Sequence, residues 1–296
     1  MKQRNLYKII FPAIAIIVGL CLPASAANFS PSAGLYYVQT YDNVTFHTYT
    51  TPIKFAASSS VVIETPNSLI LQDVQQNKPN NTDLKALIAS LNKPLIRIYL
   101  SHNHDHHWIG LEDFPDVPVY ANAVTIATIR EKGAEMLAEA KKKFSDKMVP
   151  YTRIPVPQNL IQPGEEVIDG VRFVHGTPVA ALTGPVNFME FPDQKVLIHH
   201  HLAYNGVHVP MTDIDFRMAA IRYFQNKDYD YVIGGHGIPA KSDVFFRAAL
   251  DYYATLDKAV KGSAGPEDAK AKMMQAFPEW GGVFLLDALL PLHYKK

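Results

Sequence analysis

The sequence predicts an α/β fold, α+β in its grouping of elements, with two mixed sheets packed together and helices outside. Three observations predict it. Short strand-like segments alternate with segments of helical periodicity along the whole chain. Three of the strand-like runs lead directly into loops rich in histidine, the usual way an α/β scaffold presents a site. Hydrophobic residues make up 48% of 296 positions, enough for a sizeable core.

The elements follow in order. "VTFHTYT" and "SSVVIET" alternate or run apolar, and "SLILQDV" continues them as a strand. "TDLKALIASLN" spaces Leu84, Leu87, Ile88 and Leu91 along one helical face, with Thr82 as the expected N-cap and Pro94 as the stop. "LIRIYL" is a buried strand that delivers the chain into "SHNHDHHWIG". "ANAVTIATIREKGAEMLAEAKKKF" reads as one long helix with a solvated lysine face. Asp169-Gly170 in "EEVIDGVRFV" suits a two-residue hairpin turn, and "VNFMEFPDQKVLIHHHLA" repeats strand–turn–strand. "DIDFRMAAIRYFQN" is a helix. "DYVIGGHGIP" is a strand closing in a glycine loop, and "SDVFFRAALDYYATLDKAV" is a helix that Ser242 is expected to cap.

The first 26 residues have a different character. "MKQRNLYK" is basic, "IIFPAIAIIVGLCL" is apolar and "PASAA" supplies small residues, the pattern of a secretory signal peptide cut after Ala26. Residues 27–296 then form a single domain in a periplasmic or secreted protein, with no stable membrane insertion. The formal charge is zero, and removal of Lys2, Arg4 and Lys8 takes it to −3. No basic excess points to nucleic acid, and the expected partner is a small-molecule substrate. Cys21 leaves with the signal, so a metal in the mature chain must be held by His, Asp or Glu.

Histidine supplies that chemistry. His102, His104, His106 and His107 fall within six positions, with Asp105 among them. His199, His200, His201 and His208 lie in "VLIHHHLAYNGVH", and His236 lies in "IGGHG". Residues two apart on an extended segment share a side, so His102 and His104 can meet one ion. Neutral imidazole is a good zinc ligand. By the same alternation His199 and His201 face one way and His200 the other. This favours His201 as a site residue, with His199 supporting it and His200 packed away. Trp108 and Phe114 are expected in the core, and His47 and His293 are expected to be ordinary surface or core histidines.

"SHNHDHHWIG" resembles the His-x-His-x-Asp-His signature of the metallo-β-lactamase fold superfamily. "IETPNSLILQDV", "LIASLNKPLIRIYLSH", "FPDQKVLIHHHLAYN" and "YVIGGHG" are similar to the segments that flank it, and the resemblance covers roughly residues 34 to 260. It implies an αββα sandwich and a metal-dependent hydrolase using one or two zinc ions. Carried over by position, it makes His102 and His104 ligands of a first ion, and His107 and His236 ligands of a second. Two substitutions depart from the pattern: His106 and His201 stand where the family places aspartates. The third ligand of the first ion has no clear counterpart, with His175 and His208 as candidates. Replacing two carboxylates by imidazoles leaves two nearby cations less well compensated, so the second ion should bind less well. His106 is then the expected proton shuttle, and Asp105 the alternative carboxylate. A catalytically degenerate protein that binds metal or a partner is the rival reading.

Overall fold

The computed structural model describes residues 29–176, 179–181 and 184–295. Residues 1–26, read from the sequence as a signal peptide, lie outside the described residues. The first sheet holds β1 (Leu35–Tyr41), β2 (Val44–Thr50), β3 (Ser59–Glu64), β4 (Leu69–Gln72), β5 (Leu95–Tyr99), β6 (Val119–Ala121) and β7 (Asn159–Leu160), in that spatial order. Its first four strands are antiparallel, and β4 to β7 run parallel. The second sheet involves β8 (Gly164–Ile168), β9 (Val171–His175), β12 (Met189–Phe191), β13 (Val196–His199), β14 (Tyr231–Gly234) and β15 (Ala240–Lys241). Their order is β15-β14-β13-β12-β9-β8, with only the β13–β14 pair parallel. A small separate hairpin joins β10 (Val179–Ala181) and β11 (Gly184–Val186).

Layering follows from which strand faces are apolar. Phe46, Val61, Ile63 and Ile70 of the first sheet meet Phe173, Phe191, Ile198 and Ile233 of the second. The helices α1 (Lys78–Ser90) and α2 (Ala123–Phe144) bury Leu84, Leu87, Ile126 and Ile129 against the outer face of the first sheet. The outer face of the second is covered by α3 (Ile214–Gln225), α4 (Ser242–Lys261), α5 (Pro266–Ala276) and α6 (Val283–Leu289), through residues such as Ile221, Phe245, Phe246 and Leu286. The result is the predicted αββα sandwich. Trp108 and Phe114 pack into the first helix–sheet core, as expected.

Local chemistry explains the boundaries and corrects two caps. Asp169 and Gly170 both have positive φ, 51° and 78°, the requirement of the two-residue turn predicted from them. The first helix begins earlier than its periodicity suggests: Asn77 is its N-cap, and Thr82 lies inside it with its hydroxyl donating back to Lys78 O. Lys78-Pro79 explains the early start, because proline suits the first turn, where its missing N–H is no loss. Ser242 is likewise the first helical residue of α4 rather than its cap, and its hydroxyl donates to Tyr229 O. No helix among the described residues is long and apolar enough to cross a membrane.

Candidate metal centre

Four loops meet at one end of the sandwich: those after β4, β5, β13 and β14. β5 ends at Tyr99, and the next residues place His102 and His104 before a 3-10 turn over Asp105–His107. The turn brings His106 and His107 back beside His102, with ring centroids at 6.4 Å and 4.6 Å. β13 ends at His199, so strand alternation stops there. His200 and His201 therefore both turn inward, whereas extended alternation predicted opposite sides for them. His199 stays in the helix–sheet core, stacked on Phe188 with centroids 5.3 Å apart. Gly235 lets the last loop come close: a Cβ there would lie 2.2 Å from His200 O.

Two groups of three imidazoles result, His102/His104/His201 and His106/His107/His236. Within each group one nitrogen per residue lies within 4.8 Å of the others. His201 thus stands with the two histidines of the first group. The candidates offered by the sequence are elsewhere. His175 is held by Glu166, 2.7 Å from Nε2, and His208 packs against Tyr252 and Trp280. Asp105 accepts a hydrogen bond of 3.0 Å from Gln76 Nε2 and lies 3.4 Å from His106 Nδ1. Both Asp105 and His106 line the cavity above the histidines.

One residue of the centre was missed by the motif reading. Asp73, fully buried just after β4, forms a third group with His107 and His200. Its carboxylate accepts from Ser101 N at 2.7 Å, Ser101 Oγ at 2.6 Å and His200 Nδ1 at 2.6 Å. His107 Nδ1 lies 3.0 Å away, at an angle outside hydrogen-bond geometry. Burial alone would raise the Asp73 pKa; the adjoining His107 and His200 outweigh it and hold the carboxyl well below its usual range. The available signal was a single acid directly after an apolar strand in "SLILQDV", where an unpaired carboxylate would be costly.

Asp73 also settles ring tautomers. Ser101 Oγ donates to Asp73, so at 2.7 Å it accepts from His102 Nδ1–H. His200 Nδ1–H donates to Asp73, and His236 Nδ1–H donates to Ala56 O at 2.8 Å. The second nitrogen, Nε2, is then the one with a lone pair. In His102, His107 and His200 that atom is buried without a hydrogen-bond partner among the described residues. Burial, reinforced by the neighbouring imidazoles and at His201 first by Arg217, pushes the pKa of His104 down to about 3 and keeps His102, His201 and His236 far below the ordinary value. His107 is pushed down to about 4 by burial and His106, despite Asp73. These rings are neutral near pH 7, the form that coordinates.

The donor set fits a transition metal. Imidazole suits zinc, copper and nickel, and buried nitrogens without partners are costly unless something occupies the lone pair. His106 Nε2 and His236 Nε2 face each other at 3.2 Å. Two tetrahedral ligands of one zinc ion would stand roughly 3.3 Å apart. His201 Nδ1 hydrogen-bonds Tyr204 Oη. Arg217 grips the same turn from below, donating to His201 O at 2.6 Å and to Asp213 Oδ1 at 2.6 Å.

Solved structures show the same architecture. A metallo-β-lactamase from Pontibacter korlensis superposes with a TM-score of 0.56 at 17% identity, over 74% of this chain and 99% of that one. The metallo-β-lactamase FIM-1 from Pseudomonas aeruginosa, in its mono-zinc form, gives 0.52 at 15% identity over 76% and 97%. The sec-alkylsulfatase Pisa1 from Pseudomonas sp. gives 0.54 at 17% identity over 80% of this chain, which spans 45% of that protein. No family model matches the sequence, and no curated protein matches it. With two mixed sheets, outer helices and histidine loops at one end of the sandwich, the chain has the metallo-β-lactamase fold.

Proposed function

We propose that this protein is an exported, metal-dependent hydrolase whose imidazole groups hold zinc. The observation that carries the reading is the set of buried Nε2 atoms of His102, His107 and His200, without hydrogen-bond partners among the described residues, in a cluster with the histidines His104, His106, His201 and His236 that line a cavity of about 630 Å³. His102, His104 and His201 would hold one ion. His106, His107 and His236 would hold another, with Asp73 supplying nearby negative charge through His107. A bound zinc ion supplies Lewis acidity toward water and toward the electrophilic centre of the substrate.

The chain's own groups orient and move protons. Asp73 fixes the ring of His200 directly and that of His102 through Ser101, and lies 3.0 Å from His107 Nδ1. For His201 to coordinate through Nε2, its Nδ1–H donates to Tyr204 Oη. Asp105, on the cavity wall, is assigned to proton transfer, a role His106 takes only where the second ion is not held. Hydrolysis of an ester, lactone or amide adds one water. Its oxygen bonds to the acyl carbon, the bond to the leaving oxygen or nitrogen breaks, and that atom takes a proton. Export rests on the basic, apolar and small-residue pattern of residues 1–26.

A second reading has its own support: both three-residue groups consist of imidazole alone. It makes the protein a metal binder without turnover. Metal analysis of the mature, untagged chain, followed by a panel of esters, lactones, β-lactams, and phosphate and sulfate esters, separates the two. Metal with turnover supports the hydrolase. Metal with no turnover across the panel leaves the binder, and failure to retain metal after reconstitution overturns both.

A further inference from the structure

The C-terminal helix α6 has two apolar faces, one buried and one only partly covered, where Leu285 and Leu289 pack on Tyr204, Val207 and Val209. Leu286, and Leu290 in the turn that follows, are buried in the core of the helical layer. Leu285, Leu289 and Leu292 recur at three- and four-residue spacing on another face and line the cavity over the histidines, together with Phe284. Phe284 and Leu292 are 44% and 42% exposed. Val209 and Met211 extend this wall. Helix α6 lies beyond residue 260, where the resemblance read from the sequence ends.

A different lip of the cavity is cationic. The Phe55 and Phe144 rings meet at 5.9 Å. Lys54 Nζ lies 5.2 Å from the first ring and Lys143 Nζ 5.0 Å from the second. Lys141 and Lys142 pair with Asp146 and Glu139, whereas neither Lys143 nor Lys54 pairs with a carboxylate among the described residues. The lining holds Asp105 as its carboxylate, and Gln76 already donates to it. Unpaired ammonium groups thus share a cavity with an apolar wall and the candidate metal ligands.

We propose that the cavity takes a single-chain anionic amphiphile. Its apolar chain lies along Leu285, Leu289 and Leu292, and Lys54 and Lys143 meet its negative charge. The proposal names a substrate class for the hydrolase proposed above and rests on that reading for the cleavable bond.

The test begins with binding to the metal-free mature protein, using cis-parinaric acid as the fluorescent probe. Displacement by butanoate, octanoate and dodecanoate below their micellar concentrations should tighten with length, by about two- to fourfold per methylene buried. Phe284→Ala with Leu292→Ala, both at exposed positions, should flatten that dependence. Lys54→Ala with Lys143→Ala should weaken parinarate roughly fivefold while leaving its methyl ester unchanged. No binding, no dependence on chain length, or equal loss of acid and ester overturns the proposal. The second step is turnover of 4-nitrophenyl esters from acetyl to dodecanoyl by the zinc-loaded protein. Turnover that ignores chain length, with no parinarate binding, leaves a hydrolase and removes the amphiphile. Length-dependent binding with no turnover across the whole substrate panel keeps the amphiphile site and removes the hydrolase.

Discussion

Strand β5 feeds two polar clusters, and they are built on opposite principles. Arg97 and Tyr99 reach Glu166 and His175 between the sheets; Ser101 and His102, just past the strand, reach Asp73 and the histidine loops. In the first cluster charge is neutralised within the chain. Arg97 donates to Glu166 Oε2 at 2.6 Å and to Tyr99 Oη at 3.0 Å, and His175 Nε2 lies 2.7 Å from Glu166 Oε1. His175 Nδ1 is its one buried nitrogen without a partner among these residues. In the second cluster one carboxylate, Asp73, orders His200 directly and His102 through Ser101 and lies 3.0 Å from His107 Nδ1, and the Nε2 of each of the three imidazoles has no partner among the described residues. A closed polar network has the marks of a structural staple, and an open one those of a receptor for something that brings its own charge.

The largest expected effect comes from the pivot of the open cluster. Asp73→Ala strands the buried donors Ser101 N, Ser101 Oγ and His200 Nδ1, and should cost about 1–3 kcal/mol for each in the metal-free protein, read by urea unfolding. The milder Asp73→Asn should fold and lower metal affinity about 10- to 100-fold. Unchanged affinity in that variant would remove Asp73 from the centre.

Metal itself should separate the two clusters. At a free zinc concentration 100 times its Kd, stability should rise by about 2.7 kcal/mol and fall back on chelation. Glu166→Gln should lower stability by about 1–3 kcal/mol yet leave that zinc-dependent increment intact. An increment that shrinks with Glu166→Gln would mean that the closed cluster also serves the metal.

Acid should act on the closed cluster with a defined sign. Burial opposes ionisation of Glu166, but hydrogen bonds from His175, Tyr99 and Arg97 prevail and hold its pKa at about 2, against 4.5 for the ordinary group. Its contribution is complete above pH 4.5 and is lost as pH falls from 4.5 toward 2. Urea midpoints of the metal-free protein should therefore fall more steeply in this window than those of Glu166→Gln. Parallel curves would contradict the assignment.

The smallest effect sharpens the charge argument within the centre. His106→Asp adds a carboxylate to the group that also contains His107 and His236 and should raise occupancy by a second ion, measured as metal per chain. Unchanged stoichiometry would show that repulsion between uncompensated cations does not limit binding.

Much of this was legible in the sequence because it is local. The Asp169-Gly170 turn follows from backbone requirements, the long α2 helix from periodicity, and the nearness of His102, His104, His106 and His107 from spacing. The failures fall where elements begin and end. Alternation sent His200 away from His201, but β13 stops at His199 and both residues turn in. Thr82 and Ser242 looked like caps, but their helices already include them, and Lys78-Pro79 was the local signal for the earlier start of the first.

The sequence by itself determined the order and type of the elements, the donor chemistry available without cysteine, and which strands lead to it. Hydrogen bonding and hydrophobic periodicity over a few residues carry that information. Only the tertiary structure decided that His201 joins His102 and His104, that Asp73 unites His107 and His200, that His175 belongs to another cluster, and that α6 walls the cavity. Those assignments depend on side chains distant in sequence being buried within a few ångströms of one another, and there the cost of unsatisfied charge and lone pairs sets the arrangement.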